Sequence, residues 1–301
     1  MRFAGAIDIG GTGTKIGIVA EDGSVVGRTT IPTNAPGGPL GLVNAIAAAF
    51  QLLVSSIDKP APLSGVGVSI AGFLNRERSA MVHNANLPLF VDFPLRSALK
   101  ERLSLDCRLE VDSNAAALAE YWQGSGRGAT RLLGITLGTG VGGAVIIDGG
   151  LLRYTGECAG DLGHIILDPK GRLCSCGAHG CLEAMANSAA VSARAGGRSP
   201  RDVINSARDG DKPSQNVLAE TGWWVGLGLA SLVPLFAPDR IVVGGGIAAA
   251  REFLIEPARA SFFEHASPQY RGISIAGSPF EGWEGMVGAA SLFLSPLDQG
   301  S

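Results

Sequence analysis

The hydrophobic pattern opens at residues 4–20, AGAIDIGGTGTKIGIVA, which reads as an apolar strand, a glycine turn and a second strand. The polar turn EDGS and the run after it add a further strand, so the chain begins with a hairpin tipped by Gly10, Gly11 and Thr12. Residues 39–57 carry the amphipathic helical period, and PLSGVGVSIAG is the next buried strand, with glycines such as Gly72 at its end. DFPLRSALKERLS predicts a helix and CRLEVD a strand. SNAAALAEYWQG opens another helix, with Asp112 or Ser113 near its N-cap.

A second set of elements repeats the theme. TRLLGITLGTGVGGAVIIDGGLL reads as strand, glycine turn and strand, like the first hairpin. Residues 186–232 are mostly helical, interrupted by GGRSP and DGDKP. DRIVVGGGIAAA is a buried strand running into three glycines and then a helix, and GMVGAASLFL is a terminal helix. Two halves that each begin with a strand–turn–strand unit suggest an α/β chain duplicated around a cleft. The domains are expected at residues 1–115 and 116–301, with the terminal helix 285–296 packing back on the first.

Composition narrows the class. At 301 residues the chain can bury substantial cores, and 46% apolar against 17% charged residues excludes wholesale disorder. Its 44 glycines are scattered rather than periodic, so many tight turns are expected and collagen is excluded. A net charge of −3 offers no general attraction to nucleic acid or an anionic membrane. No apolar run is expected to reach the roughly 18–20 residues of a membrane span. The N-terminal MRFAGAIDIGG lacks a long apolar core, so no signal peptide is read and a cytoplasmic chain with reduced thiols is expected.

That compartment decides how LCSCGAHGCLE, residues 173–183, is read. In reducing conditions the spacing of Cys174, Cys176 and Cys181 suits a metal better than disulfides. Tetrahedral Zn2+ wants four N or S ligands, and the candidates for the fourth are His164 and His179. Gly177 and Gly180 allow the backbone to wrap closely. Cys107 and Cys158 read as ordinary small buried residues.

Three glycine turns are suited to phosphate. DIGGTGTK presents backbone N–H groups with the hydroxyls of Thr12 and Thr14, and it brings Asp8 as an Mg2+ partner. LGTGVGG offers Gly138, Thr139 and Gly140. VGGG offers Gly244, Gly245 and Gly246 at a strand-to-helix junction suited to a nucleotide. None matches G-x-x-x-x-G-K-[ST], and the first does not lead into a helix as a dinucleotide fingerprint requires.

Over nearly its whole length the sequence resembles the ROK family of bacterial sugar kinases, with the actin-like, hexokinase-like ATPase fold. AIDIGGTGTKIGIV resembles that family's first phosphate motif, ITLGTGVGGAVI its second, IVVGGGIA its adenosine motif and VDSNAAALAE its first connecting helix. GDLGHIILDPKGRLCSCGAHGCLEAMANS resembles its signature and zinc loop. The resemblance implies phosphorylation of the 6-hydroxyl of a hexose or N-acetylhexosamine by ATP and Mg2+. It implies structural zinc on His164, Cys174, Cys176 and Cys181, and a homodimer. It makes Asp112 the base that takes the hydroxyl proton, a carboxylate being needed because a sugar hydroxyl is a poor nucleophile. Thr12, Thr139, Lys15 and backbone N–H groups would meet the phosphate charge. Asp161, His164 and Glu183 would bind the sugar, with Asn86 and Gly72 nearby, Asn86 bracing its loop.

Two departures fall on sugar recognition. Val111 stands where the family commonly has Asn, and Asp161 where it usually has Glu. A second reading is a sugar-sensing regulator, but such relatives carry a helix-turn-helix before the first phosphate motif, and here that motif starts at residue 6. A third, a sugar binder without turnover, is raised only by Val111 and Asp161.

Overall fold

The computed structural model describes residues 1–57, 62–83, 87–153 and 161–295 and has a mixed α/β architecture on two principal sheets. In chain order the first elements are β1 (Phe3–Ile9), β2 (Gly13–Ala20), β3 (Val25–Pro32), α1 (Gly38–Ser56) and β4 (Leu63–Ile70). There follow β5 (Phe73–Leu74), β6 (Met81–His83), α2 (Leu95–Leu103), β7 (Cys107–Val111) and α3 (Asp112–Gln123). Next come β8 (Arg131–Leu137), β9 (Val141–Ile147), β10 (Gly150–Leu151), α4 (Leu182–Ala186), α5 (Ser188–Arg194) and α6 (Pro200–Arg208). The last are α7 (Lys212–Phe236), β11 (Arg240–Gly244), α8 (Glu252–His265), β12 (Ser274–Gly277) and α9 (Glu284–Leu294).

Two compact units result. The first holds the described residues of Met1–Gln123, Gly149–Ala159 and Trp283–Ser301; the second holds those of Gly124–Asp148 and Gly160–Gly282.

In the first unit the sheet order is β3-β2-β1-β4-β7. The β1–β2–β3 meander is antiparallel, whereas β1, β4 and β7 run parallel. Burial follows position: β3, at an edge, alternates between half-buried and exposed residues, while β4 is buried without break from Val66 to Ile70. Helix α1 lays Leu42, Val43, Ile46 and Phe50 on one face of this sheet, in a core with Val66, Val68 and Leu109. Helix α9 comes close on the other face. A Cβ at Gly67 would lie 1.8 Å from the carbonyl oxygen of Ala289, and one at Gly288 would lie 1.6 Å from that of Ala115 in α3. Because both obstacles are backbone, Gly288→Ala is expected to cost about 1–3 kcal/mol or more by forcing helices apart. Urea denaturation checks this, and an unchanged midpoint contradicts the close approach.

The second unit repeats the arrangement. An antiparallel β8–β9 hairpin is followed by β11 and β12, each parallel to its neighbour, in the order β9-β8-β11-β12. The long helix α7 packs along α8. The strand-to-helix passage expected after β11 contains an additional element, a 3-10 turn over Gly246–Ala250, before α8 begins. The short helix α4 and the β5–β6 hairpin were not legible in the pattern, because elements of two to five residues complete no hydrophobic period.

One expectation is corrected here. Gly38–Ser56 and Lys212–Phe236 are each long and apolar enough, by length and composition alone, to match a membrane span. Both serve the fold instead: α1 faces the first core, and α7 buries Leu218, Val225, Leu229 and Val233.

Candidate active site and zinc loop

The parallel strands of the first unit end together. Register places Asp8 opposite Ser69 and Ser69 opposite Glu110, with Ile9, Ile70 and Val111 in the next row. The C-terminal ends of such strands are where open α/β sheets bind ligands. Asp112 follows β7 directly and begins α3, exposed, with its Oδ1 accepting from the Ser113 amide at 2.8 Å. Gly72, beyond β4, sits at φ 107°, a conformation that only glycine adopts freely. Asp8 accepts from the Ser69 hydroxyl at 2.9 Å and pairs with Lys15 at 3.1 Å. Gly11 and Thr12 are exposed at the hairpin tip. Thr14 differs from expectation: it is fully buried, and its hydroxyl meets that of Thr33 at 2.9 Å. Alternation along β2 explains this, since Thr12 and Thr14 are separated by the end of the turn and Thr14 already belongs to the inward row. Thr14 therefore braces the turn through Thr33, whose hydroxyl also donates to the Gly10 carbonyl.

In the second unit two of the glycine turns meet. Gly245, at φ 87°, lies so near β8 that a Cβ would fall 2.4 Å from the Leu137 carbonyl oxygen, one residue before Gly138. The Gly138 carbonyl accepts from both the amide and the hydroxyl of Ser188 at 2.8 Å, and Thr139 is exposed at the tip of the turn. Glu183, at the start of α4, reaches this turn. Its Oε2 accepts from the Val141 amide at 3.0 Å and its Oε1 from the Ser175 hydroxyl at 2.7 Å. Ser175 lies within the cysteine loop, so Glu183 joins that loop to the glycine turn.

The loop itself gathers His164, Cys174, Cys176 and Cys181, with one ligand atom from each inside a 4.8 Å span. Cys174 Sγ lies 3.5 Å from His164 Nδ1, and Cys176 Sγ lies 3.6 Å from Cys181 Sγ. Tetrahedral zinc, at about 2.3 Å from sulfur and 2.0–2.1 Å from nitrogen, needs neighbouring ligand atoms roughly 3.5–3.8 Å apart, so the donor set fits. Burial pushes the Cys181 thiol up to about 12 and raises that of Cys174, while the Ala178 amide lowers that of Cys176. Three thiols held together this way need a cation if they are to ionise together. Among the two histidines left open by spacing, His164 is the one in the cluster. His179 is exposed and engages the Gly171 carbonyl at 3.0 Å. The far side of the His164 ring faces Asp161, with Nε2 and Oδ2 3.4 Å apart. Burial raises the Asp161 carboxyl above the ordinary carboxylate range, the charge of His164 opposes this, and that of Glu183 adds to it.

Asn86 and Cys158 lie outside the described residues. Cys107 is buried, and burial pushes its thiol up to about 12, as suits an inert core residue. Sequence reasoning passed over Ser69, Glu110 and Ser175. A polar residue inside an apolar strand run, as in GVSI and RLEV, is the signal that marks the first two.

A family model described as the ROK family matches residues 4–295. The chain belongs to the ROK family. Relatives within similarity range carry two activities in their names. A glucokinase of Halalkalibacterium halodurans is 32% identical over 289 residues, covering 89% of this chain and 87% of that protein. An N-acetylmannosamine kinase of Yersinia pestis is also 32% identical, over 253 residues, covering 83% and 84%. A ROK family glucokinase from Streptomyces griseus, solved in complex with glucose and AMPPNP, superposes with a TM-score of 0.85 at 31% identity, covering 97% of this chain and 99% of that one. The mixed α/β, two-sheet fold of the described residues thus matches that of ROK glucokinase structures.

Proposed function

We propose that this ROK protein is an ATP-dependent kinase for the 6-hydroxyl of a hexose or N-acetylhexosamine. The observation that carries the reading is the shared strand-end row, where Asp8 and Ser69 pair beside the strand that delivers Asp112, in a chain so similar to a glucokinase that binds glucose and AMPPNP. Asp112 is the base that accepts the 6-hydroxyl proton as the phosphoryl group leaves ATP. Backbone N–H groups of the glycine turns, with Thr12, Thr139 and Lys15, meet the charge on the phosphates. Gly244, Gly245 and Gly246 border the nucleoside. Mg2+, when bound with the nucleotide, neutralises phosphate charge, and Asp8 is the carboxylate that would hold it. Glu183 and His164 orient the sugar ring, the former already aimed by Ser175 and Val141. His164 and the three cysteines would hold zinc, which would shape that segment and supply no chemistry. The same reading makes the protein a cytoplasmic homodimer. A panel of sugars in a coupled ADP-release assay tests the activity: turnover of a hexose or N-acetylhexosamine is expected, and ADP release with no sugar on the panel overturns it.

Substrate choice turns on Val111. A valine cannot pair with a sugar hydroxyl, and a hydroxyl buried against it loses water at a cost on the order of 1–3 kcal/mol. With Asp161 also altered, the site is read as retuned, so an epimer of glucose or an N-acetylated hexosamine is expected to outperform glucose. Val111→Asn is then expected to raise kcat/KM for glucose about tenfold or more, since 1.4 kcal/mol is a factor of ten. A wild type that prefers glucose, unimproved by Val111→Asn, contradicts the retuning.

A further inference from the structure

Glu110 is the buried carboxylate of β7, and it has no place in the scheme above. Only 1% of its side chain is exposed, yet it lies one strand from Ser69 and two residues before Asp112. Burying a carboxylate is costly unless it is paired and hydrogen-bonded. Here it is both. Arg153 donates to its two oxygens, at 3.4 Å from Nη1 and 2.7 Å from Nη2, and Arg78 donates from Nη1 at 3.4 Å. Its Oε1 also accepts from the Val111 amide at 3.0 Å and from the Asn114 side chain at 2.9 Å.

These donors come from separate segments of the first unit. Arg78 stands in the connection between β5 and β6, at a left-handed φ of 47°, and Arg153 lies just past β10. Val111 and Asn114 flank Asp112 on either side. One buried carboxylate therefore holds the peptide before Asp112 and the first helical turn after it, against two guanidinium groups on other loops. Stability alone does not call for this arrangement. A buried ion pair rarely outperforms apolar residues of similar volume, and its best-attested return is a unique geometry. Catalysis rewards such geometry, because a misplacement of about 1 Å in a reacting group costs on the order of 100-fold in rate.

We propose that Glu110 is a positioning residue for Asp112, with Arg78 and Arg153 as its counter-ions; this rests on Asp112 being the base. Glu110→Gln keeps the shape and an acceptor for Val111 and Asn114 but removes the charge that gathers the arginines. It is expected to lower kcat about 10- to 100-fold while the KM for ATP changes by less than about twofold, the pattern of an interaction used only in the transition state. The deciding measurement is the same substitution in an Asp112→Asn background. If Glu110 acts through Asp112, the double variant is no slower than Asp112→Asn alone. An equal loss in both backgrounds, or a lowered melting temperature with unchanged kcat, overturns the proposal. Arg153→Gln, at a half-exposed site, gives the same test if Glu110→Gln does not fold, and it is expected to show the same dependence on Asp112. The two readings fail differently: full turnover of Asp112→Asn removes the base itself, whereas an inactive Asp112→Asn beside a fully active Glu110→Gln removes only the positioning role.

Discussion

On the proposed kinase function, Asp112→Asn is expected to lower kcat by about a hundredfold or more, the usual scale for loss of a general base, and to leave sugar affinity close to that of the wild type. Asparagine preserves the size of the side chain and one acceptor oxygen, so the bond from the Ser113 amide survives and α3 keeps its start. What disappears is the capacity to take a proton. A 6-hydroxyl that cannot shed its proton attacks slowly however well the phosphate is held. Isothermal calorimetry for the sugar, set beside steady-state kinetics, separates the two effects. Near-wild-type turnover would make Asp112 only the first residue of a helix and would place the base elsewhere.

Removal of the proposed zinc ligands is expected to have the second large effect, on stability. Protein purified without added metal is expected to carry one Zn2+ per chain by elemental analysis, and Cys181→Ser to carry none. Cys181 is fully buried, and its neighbours at the site are thiols and an imidazole, so the apo loop keeps polar groups without the ion that balances them. A loss of several kcal/mol is expected, lowering the melting temperature by about 10 °C or more at roughly 2–4 °C per kcal/mol. A chelator applied to the wild type is expected to reproduce the shift. Because Ser175 in the loop holds Glu183, metal loss is also expected to weaken sugar binding more than nucleotide binding. Full zinc content in Cys181→Ser, or zinc retained by His164→Ala and lost by His179→Ala, would falsify the ligand set.

Much of this was readable before any coordinates. The hairpins Phe3–Ala20 and Arg131–Ile147 declare themselves because alternation and glycine turns are local properties of a few residues. The close spacing of Cys174, Cys176 and Cys181 is local too, so ligand chemistry, with the reducing compartment expected from the sequence, suffices to suggest zinc. The resemblance then assigned roles to Asp112 and Glu183 by motif alone.

Other features needed the tertiary structure. Spacing left His164 and His179 as equals; the fold turns the Nδ1 of one to Cys174 and sends the other to the Gly171 carbonyl. Thr14 sits in a phosphate-type motif, yet the pairing of β2 with β3 turns it inward onto Thr33. Glu110 looked like one more strand residue until Arg78 and Arg153, 32 and 43 positions away, were seen to meet on it. The division has a physical cause. Turn geometry and ligand type are set by neighbours in the chain, whereas burial, charge pairing and the direction of a side chain are set by groups that only folding brings within a few ångströms.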